Sequence, residues 1–197
     1  MTPDLTFAVL AFTSLVAIVN PLAAATIFLA LASGDTPKER GHHVRQGVIT
    51  AGAVLVVFAL AGVPILTFFG ITTHAFKIAG GFIFLGIGWD MLQARRSRVK
   101  MTQEEEDAGA ERDQIGIIPL GLPTIAGPGA ITTVIVLSAQ AETAVQAGAV
   151  YVAILGVLVV TGGILYMAPL LLRTFGTTGL NVMTRIMGLL VMVIGVQ

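Results

Sequence analysis

Two prolines stand in the middle of apolar stretches that carry no charge, and they constrain this chain more than any other feature. Pro21 follows Asn20 within residues 5–31, and Pro128 stands between Gly127 and Gly129 within residues 115–138; neither run contains an ionisable side chain. Each run is longer than, or about as long as, the roughly 20 residues that cross a bilayer core. Proline has no backbone N–H and its ring clashes with the preceding turn, so each helix is expected to break about halfway across the membrane. Backbone groups freed at that depth need a protein partner, a water-lined cavity or a ligand. The helix that restarts after the proline also points its positive dipole end into the same space. Paired interruptions in corresponding positions of two halves are the sequence signature of a transporter's binding site.

The rest of the composition agrees with a bilayer as solvent. Of the 197 residues, 55% are apolar and 11% charged, against about 25% charged in a soluble domain. The formal net charge is zero, which gives no reason to expect a nucleic-acid partner. Without cysteine, disulfides, thiol catalysis and zinc–thiolate sites are excluded. The three histidines, His42, His43 and His74, are too few and scattered for a metal site, and the adjacent pair reads as a solvated turn. Thr13, Ser14 and Ser138 have no His, Asp or Glu at helical spacing within the spans, so neither enzymatic chemistry nor a cofactor is expected.

The chain therefore reads as an all-α polytopic membrane protein with six transmembrane segments. The expected spans are residues 5–31, 48–69, 75–92, 115–138, 145–172 and 180–196, with a polar loop at 33–46. Residues 93–114 hold Arg95, Arg96, Arg98 and Lys100 and then an acidic run from Glu104 to Asp107, the composition of a solvated linker. Around it the chain repeats. Pro21, Pro64, Gly70, Lys77 and Gly80 align with Pro128, Pro169, Gly176, Arg185 and Gly188 at offsets of 107, 105, 106, 108 and 108 residues. The single membrane domain, 1–197, thus divides into a first repeat at 1–92, the linker at 93–114 and a second repeat at 115–197. Three spans per half, an odd number, put the second repeat upside down relative to the first.

Orientation follows from the basic residues. Loops after the first, third and fifth spans share one side and hold 9 of the 11 Lys and Arg, while the opposite loops hold none. By the positive-inside rule those three loops are cytoplasmic, and both termini face outward, to the periplasm in a bacterial inner membrane.

Four stretches carry a resemblance that covers nearly the whole chain outside the linker: NPLAAATIFLAL from Asn20, KIAGGFIFLGIGWDML from Lys77, IIPLGLPTIAGPGAITTVI from Ile117 and RIMGLLVMVIGVQ from Arg185. Together they resemble the MarC family of bacterial inner-membrane proteins, also called the six-helix neutral amino acid transporter family. The chain departs from an NPxxxxP pattern by carrying Thr26 in place of the second proline. The resemblance implies secondary transport of small neutral amino acids such as alanine and glycine.

Such a substrate suits the residues around the breaks. A zwitterion needs donors for its carboxylate, which a restarted helix offers, and acceptors for its ammonium, which freed carbonyls offer. The candidate binding set is Asn20, Pro21, Ala24, Thr26, Gly127, Pro128, Gly129, Thr132 and Thr133, small residues and hydroxyls that let two backbones come close around a small solute. Gly129, lacking a Cβ, is expected to leave room for a ligand against the backbone. Lys77 and Arg185, at equivalent repeat positions, are candidate gate residues, each also placed to mark the membrane edge of a span. If H+ or Na+ drives the carrier, Asp90 is a carboxylate near a span, although its place at a span end also suits a plain interfacial group. A selective channel, or a membrane scaffold that transports nothing, fits the same broken helices. Substrate identity, coupling ion and oligomeric state are not written in the sequence.

Overall fold

The computed structural model describes residues 2–93 and 115–197, and the linker expected at 93–114 lies outside them save for Gln93. The described residues are helical, with no strand among them. In order they form α1 (Pro3–Val19), α2 (Pro21–Leu31), α3 (Pro37–Phe68), α4 (Thr73–Leu92), an irregular segment Gly116–Ile125, α5 (Pro128–Gln140), α6 (Ala144–Tyr166) and α7 (Ala168–Val196). By length and composition five stretches can cross a membrane: Pro3–Leu31, Pro37–Phe68, Thr73–Leu92, Ala144–Tyr166 and Ala168–Val196. The segment Gly116–Ile125 with α5, bent by 55° at their junction, makes a sixth if the pair is one span.

The junction of α1 and α2 is a single residue. Asn20 adopts φ 48° and ψ 76°, a left-handed conformation that asparagine tolerates better than other non-glycine residues. Its N–H donates back to Val16 O, and its Oδ1 accepts from Ala23 N at 3.3 Å, so one side chain serves both helix ends. Gly127 precedes Pro128 in extended geometry and offers α5 no side-chain cap. Upstream of it, Gly116–Ile125 makes two wide turns, closed by Leu120 N to Ile115 O and Ala126 N to Gly121 O. Ile118 and Leu122, each preceding a cis proline, have extended backbones.

Three boundaries differ from the expectation. Residues 37–46 are helix rather than loop. Thr36 accepts from Glu39 N while the Glu39 carboxylate accepts from Thr36 N at 2.7 Å, a reciprocal cap with Pro37 in the first turn, so α3 starts among charged residues. His42 and His43 consequently sit on a helix, not in a solvated turn, and His43 is buried. At the other end, α6 stops at Tyr166 and a turn at Met167 starts α7 at Ala168. Gly176, at φ 63° and ψ 177°, interrupts α7.

The first span packs against α6, α3 against the segment Gly116–Ile125 and α5, and α4 against α7. That last pair is antiparallel and close. A Cβ added to Gly81 would stand 2.6 Å from Gly195 O, and one added to Gly88 would stand 2.8 Å from Gly188 O; on the other helix, Gly195 and Gly188 would reach Gly81 O and Gly88 O at 3.0 and 2.9 Å. Glycines seven residues apart on both helices bring the backbones to the distance at which Cα–H groups meet carbonyls. The core between the spans is aliphatic, with Leu15, Ile18, Phe28, Leu55, Ile87, Leu120 and Ile154 at or below 2% exposure.

Candidate functional site

Between α1, α4, α5 and α7 lies a cavity of about 1190 Å³. Most of its wall is apolar, as four lipid-compatible helices dictate. The polar groups are few: Thr6, Thr13 and Ser14 from α1, Lys77 from α4, Thr132, Thr133 and Gln140 from α5, and Gln197 after α7. Lys77, half-buried, is the one charged side chain that lines it. The hydroxyls of Thr13 and Thr133 are already committed, to Val9 O and Gly129 O, both at 2.8 Å. Thr132 is seated by Gly80, whose missing Cβ would fall 2.5 Å from the threonine Cγ2.

The cavity stops just short of the two helix breaks. Ala17, Phe84 and Thr133 are the lining residues nearest them. One turn below Thr133, the Cβ direction of Gly129 points at Ile18 Cγ2 and Ile87 Cδ1, each 3.0 Å away, and at Phe84 Cε1 at 3.5 Å. The room expected against the Gly129 backbone is therefore filled by an apolar plug. Ile18 lies two residues before Asn20, so the two interruptions are neighbours. Asn20 itself is fully buried, with Nδ2 3.9 Å from Met91 Sδ.

Of the residues expected to bind a substrate, Thr132 and Thr133 line the cavity. Pro21, Ala24, Gly127 and Gly129 are buried outside it, and Pro128 is exposed. Thr26 is half-buried on the far side of the break, its hydroxyl donating to Ala23 O at 2.8 Å. The two gate candidates have unlike surroundings: Lys77 faces the cavity, whereas Arg185 is exposed and does not line it. Asp90 is half-buried, also away from the cavity and beside Met91, against whose Cβ Gly188 packs. Thr6 and Gln140 were missed; polar residues inside or at the edge of charge-free runs were the signal available. The volume also corrects an expectation of tight quarters, since it exceeds the roughly 300–1,000 Å³ of common ligand pockets.

The family model for MarC family integral membrane proteins matches residues 5–197. The chain belongs to the MarC family. MarC-family relatives are similar along nearly their whole length. A UPF0056 membrane protein of Methanocaldococcus jannaschii is 40% identical over 194 residues, covering 98% of this chain and 94% of the relative. YvbG of Bacillus subtilis is 36% identical over 191 residues, covering 96% and 90%, and YhcE of Escherichia coli is 34% identical over 186 residues, covering 94% and 86%. Both are named as UPF0056 membrane proteins. No solved structure matches this MarC-family chain. Membership and the long apolar helices together make it an integral, multi-pass membrane protein.

Proposed function

We propose that this MarC-family protein is a secondary transporter of small neutral amino acids that works by alternating access, drawn here with its cavity open to the extracytoplasmic face. The observation that carries the reading is a large cavity that ends, behind a thin apolar plug, at two adjacent helix interruptions. A carrier needs a solute path that reaches the middle of the bundle and stops there. In this reading the cavity is the entry vestibule, and the fitted site forms at its floor around Thr132 and Thr133 when the plug of Ile18, Phe84 and Ile87 shifts.

Inverted symmetry supports the same reading, because alternating access in such folds is one half rocking against the other. Asn20 and Gly127 each precede a restarted helix. Thr36 and Thr143 each cap a helix by accepting from the N–H three residues on. Gly70 and Gly176 are the two glycines of left-handed φ among the described residues. The three pairs are offset by 107, 107 and 106 residues. Contacts pair up in the same way: α3 rests on the broken span of the second half as α6 rests on that of the first. The extracytoplasmic placing of the mouth rests on the positive-inside rule, since Lys77 and Gln140 lie at span ends opposite the basic loops.

The test is flux of a panel of labelled amino acids into proteoliposomes. Transport that shows counter-flow with unlabelled substrate marks a carrier; flux without counter-flow marks a pore; no binding and no flux marks a scaffold. Thr132→Ala is expected to weaken apparent affinity by about 1 kcal/mol, the worth of one neutral hydrogen bond, without changing the melting temperature. Amine or amide analogues that lack the carboxylate should compete poorly.

A further inference from the structure

Away from the cavity, the chain buries an ionisable pair that the vestibule does not use. Asp35 lies in the turn after α2 and His43 on the second turn of α3. His43 Nε2 is 3.4 Å from Asp35 Oδ2, and both side chains are 6% exposed. Three buried polar atoms in this corner have no hydrogen-bond partner: Asp35 Oδ2, His43 Nδ1 and Gln46 Oε1. Gly116 closes over them; a Cβ there would stand 2.6 Å from Gln46 Oε1 and 2.8 Å from His43 O.

Counting donors identifies what is missing. A neutral imidazole has one N–H and one acceptor nitrogen. Gln46 follows His43 by three residues, on the same helix face, so the ring lies between a carboxylate and an amide oxygen, both acceptors. One tautomer leaves Asp35 unanswered and the other leaves Gln46 unanswered. The imidazolium, a donor at both nitrogens, answers both, and buried polar groups are as a rule answered. The contact to Asp35 then becomes charge-assisted, roughly twice as strong as a neutral one.

We propose that Asp35, His43 and Gln46 form a proton-binding site that fastens the end of α2 to α3, and that the loaded site holds this face of the bundle shut. Its gating part rests on the alternating-access reading above. Under the pseudo-symmetry, the second half of the first span and the segment Gly116–Ile125 line the path on this face, and the site joins both to α3. Loss of the proton frees them to part. Other charged groups nearby sit mostly on α3 itself: Lys38, Glu39, Arg40, His42 and Arg45, with Arg40 Nε donating to Ala32 O at 3.3 Å. His42 packs edge-on to His43, with ring centroids 6.1 Å apart. Neither α2 nor Gly116–Ile125 has a titratable side chain; Tyr166 on α6 donates to Gly41 O at 3.1 Å, and Arg173 on α7 is exposed.

The chain has no cysteine, so Ser14→Cys on the cavity wall reports opening of the vestibule through its reaction with a membrane-impermeant maleimide. Labelling is compared between this protein and the same protein carrying His43→Gln, which cancels the thiol's own pH response. Between about pH 6 and pH 8 the ratio should fall about fivefold, the low end of typical coupling. Asp35→Asn should abolish the trend as His43→Gln does. Independently, in histidine-labelled protein with His42→Gln and His74→Gln, nitrogen NMR reads His43 alone; both ring nitrogens should be protonated at the acid end, and Asp35→Asn should move the titration. A flat labelling ratio, or a ring that keeps one protonation state across the range, overturns the proposal. Should His43→Gln not fold, Asp35→Asn and the NMR titration decide it. None of these measurements uses a transported solute. Protein that moves no amino acid yet titrates as described overturns the carrier reading alone, and protein that moves amino acids with a flat ratio overturns the gate alone.

Discussion

Adding one methyl group to the seam between α4 and α7 tests the packing reading of the fold, and Gly88→Ala is the change that does it. The new Cβ would stand 2.5 Å from Met192 Cγ, 2.8 Å from Gly188 O and 3.0 Å from Met192 N, where ordinary contact begins at 3.4 Å. Met192 can swing its side chain aside, but the two backbone atoms cannot yield without moving the helix. The seam must therefore open by roughly 0.6 Å, and a gap of that size forfeits a quarter to a half of each dispersion contact along it. The expected cost is about 2 kcal/mol, within the range for overpacking a well-filled interior. Gly86→Ala, on the same helix with nothing within 4 Å of the new atom, is the matched control and should gain up to about 1 kcal/mol from the removed glycine entropy. Thermal unfolding of the detergent-solubilised protein should separate the two by about 3 kcal/mol, the sum of those effects. In the double variant Gly88→Ala with Gly188→Ala, the second methyl enters a gap already opened, so the costs should add to less than their sum. A Gly88→Ala protein that melts at or above Gly86→Ala would refute the seam as a close backbone contact.

Two further outcomes are expected. Asn20→Ala should cost about 1–2 kcal/mol, because it removes the cap on Ala23 and puts an ordinary residue at positive φ, whereas Asn20→Gly keeps the conformation and should cost only a few tenths; a ranking in which alanine is the milder change refutes the double role given to this side chain. Gly129→Val should lower the melting temperature as well as flux, since its branches enter the space of Ile18, Ile87 and Phe84; unchanged stability with lost flux would mean that the space is a ligand's after all.

Much of the architecture could be read from where charge is absent. Charge-free runs located the spans, and the duplicated prolines pointed at the two places where helices restart. What stayed hidden depended on short-range caps and on three-dimensional facing. The helical start at Pro37 was encoded in Thr36 and Glu39, yet the surrounding charges read as a loop, because a reciprocal cap is a local signal easily outvoted by composition. His43 shares a face with Val44, Gly47, Ala51 and Leu55, all buried; once the helix begins at Pro37 its burial follows, but a solvated turn hides that periodicity. Of the candidate site, Thr132 and Thr133 were legible as hydroxyls one turn beyond a break. The plug over Gly129 was not, since it is assembled from Ile18, Phe84 and Ile87, aliphatic and aromatic residues that look like any other core in sequence.

The α4–α7 seam has an evolutionary corollary. Glycine has no smaller replacement, so at Gly81, Gly88, Gly188 and Gly195 every possible substitution adds volume and none can be compensated by shrinking the residue opposite, which is already a backbone. Drift at these four positions is therefore one-directional in effect, whereas Gly86, Gly148 and Gly163, with nothing within 4 Å, can vary freely. An alignment of MarC-family sequences should show the first four nearly frozen and the other three unconstrained.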